Sequence, residues 1–330
     1  MKLVTIIGTR PQIVKLSNDI CQVVVNTGQH YSQGMRIEDF KKDLKLPKIK
    51  YNLGCTELGE MITKCKEVLT KECATHVLVY GDTNSTLAGA IAAKECKCQL
   101  IHVEAGMRCG NMTMREEQNR IMVDHISDVL LCVSDKAVKN LEEEKIQGQI
   151  GMCGNVVLDT LFSMLPTKEN KKGTYNLLTL HRAENVDNKE ILKEILKGIG
   201  ESKERFIYPI HPRTKKRIEE YKIKLPINIE VIKPVVYKEM VNLIAHAQKV
   251  VTDSGGLQCE AHFLMTPCIT MRSETEWIET VEEEWNVLVG NDKDTICNAI
   301  INTKKTVKKR DYIYGKGDAK DRIKNYINSL

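Results

Sequence analysis

The chain has 330 residues, of which 42% are hydrophobic and only 5% aromatic, and it carries a formal net charge of +5. That is too long for one ordinary core and suits two α/β domains, and the scarcity of aromatics argues against a β-sandwich. The mild, dispersed positive charge argues against nucleic acid as the main partner, while allowing an anionic small molecule.

Twelve cysteines include no C-x-x-C pair, the closest two being Cys96 and Cys98. Most lie inside apolar periodic segments, where a free thiol packs as a small hydrophobe, so reduced thiols in a cytoplasmic setting are expected. Met1 and Lys2 lead directly into a strand, so no signal peptide is expected. No apolar run approaches the length that spans a bilayer.

The first strand is read at 2–7 and ends in Gly8-Thr9-Arg10-Pro11. Pro11 suits the first position of a helix. No GxGxxG follows, so this is not a dinucleotide fingerprint. The turn sets Arg10 and Lys15 at a helix N-terminus, an arrangement that fits a phosphate, although two surface basics flanking a helix would read the same way. A second strand at 23–26 ends in Thr27-Gly28-Gln29-His30-Tyr31, leaving an unusually short helix between the two. An amphipathic helix at 57–69 precedes the strand HVLVY at 76–80.

The segment 81–120 is where chemistry is expected. Asp82 follows HVLVY, and Thr83 to Thr86 supply cap residues for a small-residue helix at 87–93. The next apolar run, 99–103, ends at Glu104-Ala105-Gly106. Residues just past the carboxyl ends of parallel strands face a ligand crevice, which places Asp82 and Glu104 there on successive strands. Glu116 and Arg120 stand four apart and would share a helix face. His102, inside its apolar strand, is read as a core residue. Beyond Arg120 come a helix to 125, a strand at 129–133, a charged helix to 145, a glycine-bracketed turn at 151–157 and a helix at 159–165. The polar stretch 166–172 is the expected linker.

The second half repeats the alternation. Strands are expected at 176–180, 206–210, 229–232, 249–252, 267–271 and 286–289, with helices at 191–199, after Tyr237 and after Gly256. Two α/β halves of this kind would hold a ligand in a central cleft between them. Strand ends carry His181-Arg182, His211-Pro212-Arg213 and Asp253-Ser254-Gly255-Gly256. The glycine turn leaves backbone N–H groups open at a helix N-terminus, Ser254 adds a hydroxyl, and Glu260 can reach a ribose diol. A plain strand–helix turn is the competing reading. His181 is read as a phosphate contact because of its neighbours. No spacing supports zinc, and no GxSxG supports acyl transfer. The basic run 303–310 is read as a solvated helix face, and 323–327 as a last helix packing on the first half.

Eight motifs then stand in one order: GTRPQIVK at 8–15, TGQH at 27–30, GDTNST at 81–86, HVEAGMR at 102–108, EEQNR at 116–120, LHRAEN at 180–185, TDSGG at 252–256 and YGKGDAKDRI at 314–323. Together they resemble the non-hydrolysing UDP-N-acetylglucosamine 2-epimerase family across essentially the whole chain. The resemblance implies a GT-B-like fold of two Rossmann-like domains, 1–166 and 167–310, with the segment 311–330 returning to the first. It implies a cytoplasmic homodimer acting on a UDP-sugar, with no metal, no cofactor, no nucleic acid and no membrane.

In that family the C2 proton is removed while UDP leaves from C1, giving a 2-acetamidoglycal to which UDP re-adds. By motif match, Asp82, Glu104 and Glu116 are the acid/base carboxylates, with His181 beside them. Arg10, Lys15, Arg120 and His181 would hold the diphosphate with Ser254, Gly255 and Gly256, Glu260 the ribose, and the backbone from Pro234 to Tyr237 the uracil. Many members acting on UDP-N-acetylglucosamine carry Glu where Gln12 stands and Arg where Ala183 stands. Gln12, GDTNST and HRAEN look more like the branch acting on UDP-2,3-diacetamido-glucuronate. Tyr31 and Ala183 also replace arginines tied to a regulatory sugar-nucleotide site in bacterial members. A hydrolysing relative and a glycosyltransferase of the same fold are the alternative readings.

Overall fold

The protein is described by a computed structural model over residues 1–17, 19–29, 44, 46–164, 173–303 and 312–330. The expected linker at 166–172, residues 304–310 of the basic run, and His30 and Tyr31 lie outside these residues. The chain divides into two compact units, one comprising Met1–Ser163 with Tyr312–Leu330 and the other Met164–Asp311.

The first unit is built on a seven-stranded parallel sheet in the order β3-β2-β1-β4-β5-β6-β7. Its strands are β1 (Leu3–Ile7), β2 (Val23–Asn26), β3 (Ile49–Asn52), β4 (His76–Tyr80), β5 (Gln99–Ala105), β6 (Val129–Cys132) and β7 (Gln149–Met152). Such strands are covered on both faces and therefore run continuously apolar. All five residues of β1, LVTII, are buried. The helix Leu58–Lys71 shows the matching helical pattern, burying Met61, Cys65, Val68 and Leu69 along one stripe. Between β1 and β2 the helix Arg10–Ile13 has only four residues, with Pro11 in its first turn.

The chain's end belongs to this unit. The helix Ala319–Asn328 buries Ala319, Ile323 and Ile327, spaced one turn apart. Its first backbone N–H groups, those of Ala319 and Lys320, donate to the Asp159 carboxylate at 3.2 and 3.1 Å. A Cβ on Gly151 would lie 2.6 Å from the Tyr326 ring, so glycine is what lets this helix close on β7.

The second unit has a six-stranded parallel sheet in the order β10-β9-β8-β11-β12-β13. Its strands are β8 (Asn176–Thr179), β9 (Phe206–Pro209), β10 (Ile229–Ile232), β11 (Val250–Thr252), β12 (Cys268–Thr270) and β13 (Asn286–Leu288). Alternate residues serve opposite faces: Leu177, Val250 and Cys268 join one core cluster, and Leu178, Val251 and Ile269 the other. In both sheets the strand order reverses beside the unit's first strand, between β1 and β4 and between β8 and β11, which is the Rossmann-like pattern.

Several elements correct the reading of the sequence. The turn expected at 151–157 begins inside β7, because Gly151 serves close packing rather than a reversal. β3 reads IKYN, half-exposed along its length, too polar to signal a buried strand. The helices Pro212–Tyr221, Ile278–Glu282 and Lys293–Asn302 were not anticipated; the first is dominated by charge and buries only Thr214 and Ile218.

Candidate active site

The site residues of the first unit gather where its strand order reverses. The turn after β1 is tied to the turn after β4 by Gln12. Its amide oxygen accepts from the backbone N–H of Gly8 and Thr9 at 2.8 and 3.1 Å, and its amide nitrogen donates to the Tyr80 carbonyl and to Thr86 Oγ1, both at 2.9 Å. A carboxylate at position 12 would set an acceptor against that carbonyl. Gln12 is thus a strap between two strand ends.

Lys15 does not stand at the helix N-terminus as the sequence suggested. The helix ends at Ile13, so Lys15 lies beyond its C-terminus, buried and paired with Glu104. Glu104 has φ +74°, at a register shift between Val103 and Ala105 where β5 pairs with β6. A side chain is rarely found in that left-handed region; such bulges re-aim a side chain at a functional edge and cost about 1–3 kcal/mol. Gly81, with φ +66°, lies under this pair: a Cβ there would sit 3.8 Å from both Lys15 Nζ and Glu104 Oε2.

Asp82 is held separately. Arg120, whose side chain is 3% exposed, forms ion pairs with Asp82 and, at 2.7 Å, with Glu117. The acid that Arg120 holds on its own helix, Arg115–Ile126, is therefore the neighbour three residues back. Glu117 is 1% exposed and also accepts from the backbone N–H of Cys109 and Gly110 at 2.9 and 2.8 Å, the full pairing a buried carboxylate needs. Glu116 is half-buried in the first turn of that helix. Asn119 donates to the Asp82 carbonyl at 2.9 Å, fixing the backbone under an acid that stays 28% exposed. Two carboxylates on adjacent strand ends, each with its own cation, are suited to taking and returning protons.

In the second unit the corresponding reversal carries His181 after β8 and Asp253 after β11. Asp253 is fully buried and accepts from the backbone N–H of His181 at 2.9 Å and of Arg182 at 2.8 Å. His181 Nδ1 lies 3.1 Å from its carboxylate, which orients the ring. Burial alone would raise the Asp253 carboxyl, but the adjacent His181 and the N–H donors outweigh it and hold it below the usual range. The His181 and His211 rings lie 5.3 Å apart.

The helix Gly255–Phe263 follows, with Ser254 as its N-cap. A Cβ on Gly255 would lie 2.2 Å from Glu276 Oε1, so a side chain there would have to displace the end of Glu276. Gly256 faces open space, leaving its backbone approachable. Two turns along, Glu260 is buried and accepts from Tyr237 Oη at 2.9 Å. Pro234 stands exposed in the segment before the helix Tyr237–His246. Among the described residues no group of three His, Cys, Asp or Glu side chains could hold a metal ion, and no helix is long and apolar enough to cross a membrane.

The family model for UDP-N-acetylglucosamine 2-epimerase matches residues 13–328. The chain belongs to the UDP-N-acetylglucosamine 2-epimerase family. Its members are epimerases, enzymes of the isomerase class. A UDP-N-acetylglucosamine 2-epimerase homolog of Methanococcus maripaludis is 41% identical, covering 100% of both chains. The UDP-2,3-diacetamido-2,3-dideoxy-D-glucuronate 2-epimerase of Pseudomonas aeruginosa is 40% identical, again over 100% of both. The crystal structure of the Methanocaldococcus jannaschii UDP-GlcNAc 2-epimerase, in complex with UDP-GlcNAc and UDP, is similar with a TM-score of 0.92 at 40% identity, covering 100% of each chain. The two Rossmann-like units are those of a GT-B-like fold, shared at 10% identity and a TM-score of 0.56 with Phytolacca americana UGT2.

Glu117 and the Asp253 acceptor were not read as site residues. Glu117 had one available signal: it stands three residues from Arg120, which on a helix is as near as four.

Proposed function

We propose that this protein inverts C2 of a UDP-2-acetamido sugar without net hydrolysis. The observation that carries the reading is the pair of carboxylates Asp82 and Glu104 on adjacent strand ends, held by Arg120 and Lys15 respectively. One carboxylate, drawn from Asp82, Glu104 and Glu116, takes the C2 proton while the C1–O bond to UDP breaks, leaving a 2-acetamidoglycal. UDP then re-adds at C1, and an acid returns a proton to the opposite face of C2. Arg10, Lys15, Arg120 and His181 accept the charge of the departing diphosphate, aided by Ser254, Gly255 and Gly256 at a helix N-terminus. Glu260 holds the ribose, its carboxylate oriented by the bond from Tyr237. The segment from Pro234 to Tyr237 takes the uracil.

The sugar we favour is a 2,3-diacetamido-glucuronate, supported by the 40% identity to the Pseudomonas aeruginosa epimerase and by Gln12 and Ala183. UDP-GlcNAc is the alternative, supported by the Methanocaldococcus jannaschii UDP-N-acetylglucosamine 2-epimerase at 41% identity. We place the enzyme in the cytoplasm as a homodimer, the first supported by its free cysteines. Incubation with a panel of UDP-acetamido sugars in D2O tests the reading. Product carrying deuterium at C2 with UDP still attached is expected. Product without deuterium overturns the mechanism, and stoichiometric free UDP would assign a hydrolysing epimerase instead.

A further inference from the structure

Behind the Asp82 turn lies a chain of polar contacts, buried at His102 and Asp124 and open at Glu144, that the reaction described above does not use. His102, on β5, is fully buried. Its Nε2 lies 2.7 Å from the Gly81 carbonyl oxygen, and its Nδ1 lies 2.7 Å from Asp124 Oδ1. Asp124 is also fully buried; its other oxygen accepts from the Gly106 backbone N–H at 3.1 Å and from Arg108 Nη1 at 2.7 Å. Arg108 in turn makes a two-pronged pair with Glu144, both bonds 2.7 Å.

The chemistry of the acceptors sets the state of the ring. A backbone carbonyl can only accept, so Nε2 carries a hydrogen. Asp124 is a carboxylate: its second oxygen accepts two N–H bonds and the Arg108 guanidinium stands against it. Burial would raise its carboxyl, but His102 and Arg108 hold it below the usual range. A carboxylate also only accepts, so Nδ1 carries a hydrogen too. Each ring nitrogen of His102 therefore faces an acceptor, the arrangement that suits a doubly protonated ring.

We propose that His102, with Asp124 as its counter-ion, is a positioning residue for the acid/base chemistry: a buried imidazolium that grips the Gly81 carbonyl and so fixes the Asp82 carboxylate. Gly81 needs such a grip. Its φ of +66° leaves the peptide before Asp82 without the restraint a side chain would supply. Asn119 holds the next carbonyl, that of Asp82 itself, so two successive carbonyls are clamped from two different elements. The same strand carries Glu104 two residues beyond His102.

The role in turnover rests on the epimerase reading; the charge state does not. The decisive measurement is the 15N spectrum of histidine-labelled protein at neutral pH, assigned with His102→Gln. Two protonated ring nitrogens for His102 in the intact protein are expected, with one proton lost in Asp124→Asn. A neutral ring in the intact protein overturns the proposal. In turnover, His102→Gln and Asp124→Asn should each lower kcat about 10- to 100-fold, the scale of a misplaced reacting group. The KM for the UDP-sugar and one-to-one UDP binding should be retained. Unchanged kcat in both variants, or kcat falling only in proportion to lost UDP-binding capacity, assigns the pair to folding and refutes the positioning role. An intact protein that epimerises no UDP-acetamido sugar would defeat the proposed function, while the spectrum still decides the state of the ring.

Discussion

Asp82 and Asp253 stand at equivalent places, each just past the strand where its sheet's order reverses, yet they are held by opposite means. Asp82 is partly open and pairs with a guanidinium. Asp253 is sealed, its oxygens taken by two backbone N–H groups and an imidazole. The contrast extends to their surroundings: the first unit adds Lys15, Glu104 and Glu117, all charged, whereas the second adds Ser254 and a glycine turn. An exposed acid with a cation beside it can exchange a proton. A sealed acid that spends its lone pairs on N–H groups can only hold a loop in shape. On the proposed reading, the first cluster reacts and the second grips.

The strongest way to break this comparison is Asp82→Asn. The amide keeps the shape of the turn and removes the proton acceptor. Turnover should fall about 10²- to 10⁴-fold, the span of a general base, while UDP affinity stays within about twofold. Unchanged turnover, measured alongside UDP binding by calorimetry, would take the reacting role away from Asp82. The converse change sharpens the other half. Glu260→Gln keeps a partner for Tyr237 but loses the charge offered to the ribose. UDP should bind about tenfold more weakly, as expected when a charge-assisted bond becomes a neutral one, and kcat at saturation should hold. A fall in kcat with unchanged UDP affinity would place Glu260 in the reacting cluster instead.

The sequence announced the strand-end carboxylates of the first unit better than their supports. Strands that are buried and almost continuously apolar were legible to the residue, as with Val23–Asn26 and His76–Tyr80. Ile49–Asn52 was not, because its apolar residues, Ile49 and Tyr51, alternate with the exposed Lys50 and Asn52 over only four residues, too short a run to stand out. Asp82 and Glu104 were legible because strand ends in parallel sheets carry ligand groups. The left-handed backbone of Glu104 was not, since nothing in a Glu-Ala-Gly string specifies which residue takes the positive φ. Glu117 and Asp124 were hidden for a common reason. On a charged helix such as REEQNRIMVDHI, periodicity alone does not tell which acids turn inward, and their partners are backbone N–H groups that no motif records. His102 was read as a core residue from its apolar strand. It is buried as expected, and its two ring nitrogens are hydrogen-bonded to the Gly81 carbonyl and to Asp124, partners that the apolar strand did not announce.

Asp253 offers the smallest effect and the finest test, because it separates a structural acid from a reacting one by pH. Its folded-state carboxyl lies below the ordinary range, despite burial, on account of His181 and the loop N–H groups. The unfolded chain therefore binds the proton more readily. The stability this group contributes is fully present above the ordinary carboxylate range and is lost as pH falls through the lowered folded value. Asp253→Asn removes the term: two N–H donors then compete for one amide oxygen. Losing a buried, charge-assisted acceptor costs about 1–3 kcal/mol, or roughly 2–10 °C in melting temperature at neutral pH. The gap between the two proteins should narrow steadily in acid, where the intact protein loses the same interaction by protonation. A gap independent of pH, followed by thermal melts across the acid range, would mean that Asp253 is already protonated in the folded chain, and the distinction from Asp82 would fail at its structural end.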